Sequence, residues 1–219
     1  MSQLKKTPRS TVRRLPKRGS YDETTVRAIL DQGMLCHVGL ANDDGPVVIP
    51  MGYARRGDEL LLHGSAKSRL LNDMAKGSPV CITVTLLDGL VLARSSFHHS
   101  MNYRSVVLFG RAEPIRDPRE KAAALDAIVE HLVPGRTKDA RGANDRELDA
   151  TLVVRVPIRE ASAKIRSGPP VDDEEDLALE MWAGVVPFEH RTGEPIRDAY
   201  TPDDTPVPDY VLSYPGGRS

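Results

Sequence analysis

The sequence predicts a mainly β protein: an antiparallel, closed or nearly closed barrel with flanking α-helices. Three observations predict it. Apolar segments with strand-like alternation follow one another through short turns, at Asn42-Asp43-Asp44-Gly45, Arg56-Gly57-Asp58 and Asp88-Gly89. Such turns join antiparallel neighbours, because parallel strands need a long crossover. The helical patterns fall between hairpins instead of after every strand, which argues against a βαβ nucleotide-binding sheet. Neither a G-x-G-x-x-G fingerprint nor a Walker-type loop is present.

The elements follow in order. Ser20 and Glu23 have capping-box spacing, and Val26, Ile29 and Leu30 share one helical face, so residues 21–32 form a helix stopped by Gly33. In residues 34–41, Met34, Cys36, Val38 and Leu40 alternate with His37 and Gly39, the pattern of a half-buried strand. Residues 47–53 return, and residues 59–63 complete a three-strand meander. A helix over 66–76 starts at Ser65. Residues 80–86 and 90–95 pair through an Asp88-Gly89 hairpin. After a polar interruption, residues 103–112 form a strand. Asp117 caps a helix that runs to about residue 132, with Pro118 at its first position. Residues 134–147 read as loop or frayed helix, and residues 148–158 and 161–166 as strands. Residues 177–187 are ambiguous between strand and helix.

Composition is that of an ordinary globular protein, and a formal net charge of −1 does not advertise nucleic-acid binding. Cys36 and Cys81 lie in apolar runs and read as small buried hydrophobes. With no long apolar run and no signal-like core, a reduced, cytoplasmic setting is the expectation. Residues 1–18 form a basic arm with Lys5, Lys6, Arg9, Arg13, Arg14, Lys17 and Arg18 and no acidic partner, expected to be solvated. Residues 19–190 form the folded domain. Within it, the run Asp172-Asp173-Glu174-Glu175-Asp176 should repel itself into a solvated loop. Residues 191–219 form a Pro- and Asp-rich tail, disordered or draped over a neighbour.

One stretch stands out as a site. The strand Leu60-Leu61-Leu62-His63 runs through Gly64-Ser65 into a helix that carries Lys67, Ser68 and Arg69. A strand end, a glycine, a hydroxyl and a helix start suit an anion, although Ser65 serves equally as a plain cap. His63 sits just before this candidate site, where a strand-end histidine reaches its mouth. The sequence Asn102-Tyr103-Arg104-Ser105 clusters an amide, a phenol, a guanidinium and a hydroxyl ahead of an apolar run. The pair His98-His99 lacks the spacing and companions of a metal site, and no metal is expected.

Four stretches together resemble the FMN-binding split-barrel proteins of the pyridoxamine 5′-phosphate oxidase-like superfamily, in the branch related to nitroimidazole reductases. They are Pro46-Val47-Val48-Ile49-Pro50-Met51-Gly52-Tyr53, Leu62-His63-Gly64-Ser65-Ala66-Lys67-Ser68-Arg69-Leu70, Asn102-Tyr103-Arg104-Ser105-Val106-Val107-Leu108-Phe109-Gly110-Arg111-Ala112, and Trp182-Ala183-Gly184-Val185-Val186-Pro187.

The resemblance implies a six-stranded split barrel that works as a homodimer, with FMN in a groove between subunits. It implies that Ile49, Pro50, Met51, Gly52 and Tyr53 lay their backbone beside the flavin ring. His63, Gly64, Ser65, Lys67, Ser68 and Arg69 would hold the phosphate end. Asn102, Tyr103, Arg104, Ser105 and Val106 would approach from the second subunit, and Trp182 would close the barrel or the dimer. Met51, Tyr53, His63, Tyr103 and Trp182 would shape an open substrate pocket. The implied activity is an oxidoreductase that reduces a small electron-poor, nitroaromatic or quinone-like molecule through FMN, with His63 as proton donor. Alternatives are a non-catalytic flavin or haem carrier or sensor, with His37, His98 and His99 as axial candidates, or a deazaflavin-dependent reductase. The substrate-phosphate signature of true pyridoxamine phosphate oxidases has no match in the acidic, Pro-rich tail, which makes that oxidation a minor reading.

Overall fold

The computed structural model describes residues 2–43 and 45–214. Its centre is a meander of β2 (Leu35–Asn42), β3 (Gly45–Arg56) and β4 (Glu59–Ser65). The other strands are β1 (Gly19–Ser20), β5 (Pro79–Leu92), β6 (Ser100–Arg111), β7 (Glu113–Pro114), β8 (Thr151–Pro157), β9 (Glu160–Arg166) and β10 (Gly184–Pro187). The helices are α1 (Glu23–Gln32), α2 (Arg69–Ala75), α3 (Pro118–Leu132), α4 (Asp145–Ala150) and α5 (Asp209–Leu212). Among the described residues, ten strands form one antiparallel sheet in the order β1-β9-β6-β5-β2-β3-β4-β8-β7, with β10 added to β5. The sheet curls into a barrel that does not close, and its strand count exceeds the six of the sequence-based expectation.

Alternation along the strands separates two apolar layers. Cys36, Val38, Tyr53, Leu60, Leu62, Val84, Val106 and Leu108 fill the barrel with α1 and the apolar face of α2. On the other side of β3, β4 and β8, Ala54, Leu61 and Val153 are covered by Ala124 and Ile128 of α3. Tyr53 ties the layers together. Its ring is fully buried, its hydroxyl donates to the Leu30 carbonyl (2.6 Å), and it lies 5.1 Å from the His131 ring of α3.

Several local expectations change. No hairpin forms at Asp88-Gly89: β5 runs straight through it, with a register shift between Leu87 and Gly89. Asp88 is clamped by Arg104 of β6 at 2.7 Å, and a side chain on Gly89 would meet the Val186 carbonyl of β10 at 2.6 Å. The reversal into β6 comes later, around the short 3-10 turn Ser96–His98. Helix α1 is capped by Asp22, which accepts from the Thr25 amide (2.9 Å), because Ser20 is engaged in β1 against Ala163. The expected 66–76 helix begins only at Arg69, because Ser65 stays paired with Thr151 on β8; Ser68 is its cap. Residues 134–147 hold a 3-10 turn and the start of α4, closed by an Asn144–Glu147 capping box. The ambiguous 177–187 segment yields β10.

The basic arm is anchored to the domain, the acidic run is held at its start but otherwise exposed, and the tail is partly docked. Thr7 bonds Glu160, Arg9 pairs with Glu160 at 2.5 Å and lies over the Phe109 ring, and Ser10 is buried. In the acidic run, Asp172 pairs with Arg94 (2.9 Å) and Asp173 with His98 (3.0 Å). The tail packs on the end of α3: the Tyr210 hydroxyl donates to Asp139 (2.8 Å) and the Tyr214 hydroxyl to the Leu132 carbonyl (2.7 Å). Residue 44 of the first turn and residues 215–219 of the tail lie outside the described residues.

Replacing Tyr53 by Phe leaves the Leu30 carbonyl without its buried donor. Urea unfolding should show a loss of roughly 1–2 kcal/mol at an unchanged m-value, the cost of one buried hydrogen bond.

Candidate functional site

The mouth of the open barrel holds a cavity of about 340 Å³. Val47, Ile49 and Met51 of β3 form one wall, and Leu70 and Leu71 of α2 form another. The polar end is made by Gly64 and Ser65 at the tip of β4, Ser68 and Arg69 at the entry of α2, Asp73 further along α2, and Asn42 at the end of β2. An apolar slot with hydroxyls, an amide and a guanidinium at one end suits a flat, apolar ring system with a polar, hydrogen-bonding end, and the Asp73 carboxylate, 3.6 Å from Lys76, tempers its preference for an anion. Two amides shape this polar end locally: the Lys67 N–H donates to Ser65 Oγ (3.2 Å) and the Leu71 N–H to Ser68 Oγ (3.4 Å).

The structure therefore brings together Ile49, Met51, Gly64, Ser65, Ser68 and Arg69 from the sequence-derived set. Pro50, Gly52 and Lys67 are outside the cavity lining. Pro50 alternates onto the outward face of β3, next to His37 of β2. The Tyr53 side chain is in the core, so it cannot shape an open pocket; only its backbone is available. His63 falls on the Leu61 side of β4, opposite Leu62 and Gly64, and does not line the cavity. Its Nδ1 is buried without a partner, and burial pushes its pKa below the ordinary value. A neutral imidazole offers a lone pair more readily than a proton, which weakens the donor role expected for it.

The second group, around β6, is spoken for within the chain or turned away. Asn102 accepts from Arg166 and donates to the Gly168 carbonyl (3.2 Å). Arg104 is held by Asp88 and Gln32, and the Val106 side chain is in the core. Ser105 donates to the Lys164 carbonyl (3.2 Å), while Tyr103 stays half-exposed. None of these β6 residues lines the cavity. Trp182 is 67% exposed and packs over Gly184, so it does not close the barrel.

Among the histidines, the Nε2 atoms of His98 and His131 are used, by Asp173 and by the Gly33 carbonyl. His99 is different. Its Nδ1 faces the Ser95 carbonyl at 2.9 Å, which as donor leaves the Nε2 lone pair pointing outward. No cluster of three or more His, Cys, Asp or Glu side chains that could hold a metal ion occurs among the described residues. Sequence reasoning missed Val47, Leu70 and Leu71 as cavity walls; Leu70, Leu71 and Met74 at helical spacing were the available signal.

The profile of the pyridoxamine 5′-phosphate oxidase family matches residues 22–165, roughly two thirds of the chain. The chain belongs to this family. Solved structures sharpen its position within it. The flavocytochrome Anf3 from Azotobacter vinelandii is 42% identical, with a TM-score of 0.89, covering 94% of this chain and 96% of its own. A FAD- and haem-binding protein from Mycobacterium smegmatis is 40% identical, with a TM-score of 0.87, covering 91% and 98%. A Bacteroides thetaiotaomicron protein named for 5-nitroimidazole antibiotic resistance is 29% identical, with a TM-score of 0.57, covering 67% and 86%. No curated protein matches. The family member is thus a flavin-binding split-barrel protein, more similar to this flavocytochrome and this FAD- and haem-binding protein than to the nitroimidazole-resistance protein of the same superfamily. No described helix is long and apolar enough to cross a membrane.

The buried His63 gives a pH signature. Its folded pKa lies below the unfolded value of about 6.5, so acid protonates the unfolded chain first. The stability from its neutral form should be present above about pH 6.5 and be lost as pH falls below it. In urea titrations from pH 7.5 to 5, His63→Gln should lose less stability than the wild type.

Proposed function

We propose that this protein is a homodimeric redox protein that binds a flavin and a haem. The observation that carries the reading is the 42% and 40% identity, over more than nine tenths of the chain, to a flavocytochrome and to a FAD- and haem-binding protein. The cavity between β3, the tip of β4 and α2 supports the flavin half. Its apolar walls would exclude water from one face of the ring, while Ser65, Ser68 and Arg69 would offer donors to the phosphate end. We assign FAD in place of the FMN implied by the resemblance, on the strength of the Mycobacterium smegmatis relative.

For haem, the chain must present a neutral imidazole nitrogen with a free lone pair. His99 and His63 fit: one has its Nδ1 turned to a carbonyl and the other is held neutral by burial. When bound, the flavin supplies hydride or single-electron transfer and the haem single-electron transfer. The chain's part is to place the two groups, keep water from them and give the iron its nitrogen.

The dimer is supported by what one chain leaves uncovered. Val186, Leu90 and Met101 form a cross-strand row of exposed apolar side chains on β10, β5 and β6. Phe97 (87% exposed) and Trp182 stand beside it in sequence. An apolar surface of this kind marks an interaction site. A second copy would also carry the Tyr103 face of β6 towards the cavity. A small electron-poor molecule as electron acceptor is supported by the nitroimidazole-resistance relative. A cytoplasmic setting suits two cysteines that remain thiols, with Cys36 pushed up to about 12 by burial.

The purified protein should show both flavin and Soret absorption, release FAD on acid treatment, and run as a dimer in light scattering. A colourless monomer that takes up neither cofactor sinks the proposal. Ile49→Asp puts a charge in the cavity wall and should weaken flavin binding about tenfold or more. The ligand histidine is the one whose change to Ala removes or shifts the Soret band; if neither His63→Ala nor His99→Ala alters it, the two assignments fail.

A further inference from the structure

Among the described residues, one arginine is buried, and its surroundings differ from those of its partly solvated counterparts. Arg9, Arg55, Arg56, Arg94, Arg104 and Arg155, all at least partly solvated, each have a carboxylate partner. Arg166, only 6% exposed at the end of β9, has none among the described residues. Its Nη1 donates to Asn102 Oδ1 and to the Gly168 carbonyl, and its Nη2 to the Pro169 carbonyl. All three acceptors are neutral. Its Nε is buried with no acceptor at all. A buried charge held by neutral dipoles and an unused N–H is costly, and a guanidinium does not escape by giving up its proton.

A second cation makes the cost greater. Arg18, half-buried in the 3-10 turn Pro16–Arg18, approaches the same spot, and no carboxylate lies within ion-pair distance of it among the described residues. Burial, and then the Arg18 charge, lower the Arg166 pKa. The acidic run does not answer: Asp172, the residue after Val171, turns away to Arg94, and Asp173 to His98. Between Arg18, Ile165, Arg166, Ser167, Pro169 and Val171 lies a cleft of about 240 Å³. It is separate from the β3–α2 cavity and shares no residue with it.

We infer that this cleft is an oxyanion subsite, in which Arg18 and Arg166 grip a phosphate or carboxylate group of a small-molecule ligand. An oxyanion supplies the missing counter-charge to both guanidiniums and acceptor oxygens besides. The cleft is below the usual size of a whole-ligand pocket, so it takes a head group and leaves the remainder of the ligand outside. Asn102 becomes a positioning residue: it orients Arg166 from β6, next to Tyr103, which faces Arg166 across the β6–β9 ladder. The basic arm gains a reason for its composition, because its turn delivers Arg18. The inference stands on this chain's own charges and does not require the flavin and haem reading.

The test uses the purified full-length protein and titrates sodium pyrophosphate and, separately, succinate at ionic strength held constant with sodium chloride. Binding is read by calorimetry and by the shift in Tm, and flavin and haem contents are measured on the same preparations. Arg18→Gln lies on a surface turn and should fold; Arg166→Lys keeps the buried charge and loses the fork. Either variant should weaken pyrophosphate or succinate binding at least tenfold, or lose a cofactor that the wild type retains. Loss of flavin places its phosphate in the cleft, and loss of haem places a propionate there. Retention of both with weakened titration points to a free anion. Unchanged anion affinity and unchanged cofactor content in both variants overturn the inference, as does a response that chloride alone reproduces.

Discussion

The continuity of β5 is the constraint on which the rest of the fold depends. Fourteen residues, Pro79–Leu92, pair along their whole length with β6 on one edge. The other edge is shared: Cys81, Ile82 and Thr83 pair with β2, and the stretch from Gly89 to Leu92 pairs with β10. A reversal at Asp88 would remove the distal half, with it β10 and the apolar row that faces outward there. What keeps the strand running is local chemistry. The Asp88 carboxylate is locked to Arg104, its carbonyl accepts from the Phe188 amide at 3.0 Å, and Gly89 admits the backbone of β10. A bulge absorbs the extra residue, as bulges do beside functional regions.

The two sides of the curled sheet have different tasks. The inner side and the mouth carry the barrel core and the cavity at the α2 entry. The outer side is covered by α3 over β3, β4 and β8 and remains bare over β10, β5 and β6. His63 is half-buried on the Leu61 face of β4, and burial lowers its pKa, so its imidazole holds a proton less readily than a solvated one. The same logic separates the arginines. Arg55 and Arg104 find carboxylates on neighbouring elements, while Arg166, brought inside by β9, meets carbonyls and an amide.

Much of the architecture was readable because it rests on short-range rules. The meander of β2, β3 and β4, the α3 helix with its Asp117 cap and Pro118, and strand β9 stand close to where alternation and capping chemistry put them. The misses share a cause. Asp88-Gly89 has hairpin composition, Ser20 and Ser65 have cap composition, and residues 1–18 have the composition of solvated chain. In each case a partner more than a dozen residues away won: Arg104 and β10, β9, β8, and Glu160. Local propensity carries no information about such partners.

By itself, then, the sequence determined the family, the antiparallel class and the elements whose signals are periodic or capped. It also determined the residue types at the mouth of the barrel: an apolar β3 edge and a Gly-Ser-x-x-Ser-Arg bend. Tertiary structure alone decided which of those side chains share a cavity, that Tyr53 and Val106 are core, that His63 is half-buried outside the cavity, and that Arg166 is buried with Arg18 beside it. The physical reason is that burial and charge compensation are properties of neighbours in space. Ten strands whose order departs from the chain order set those neighbours, and no window of sequence contains them.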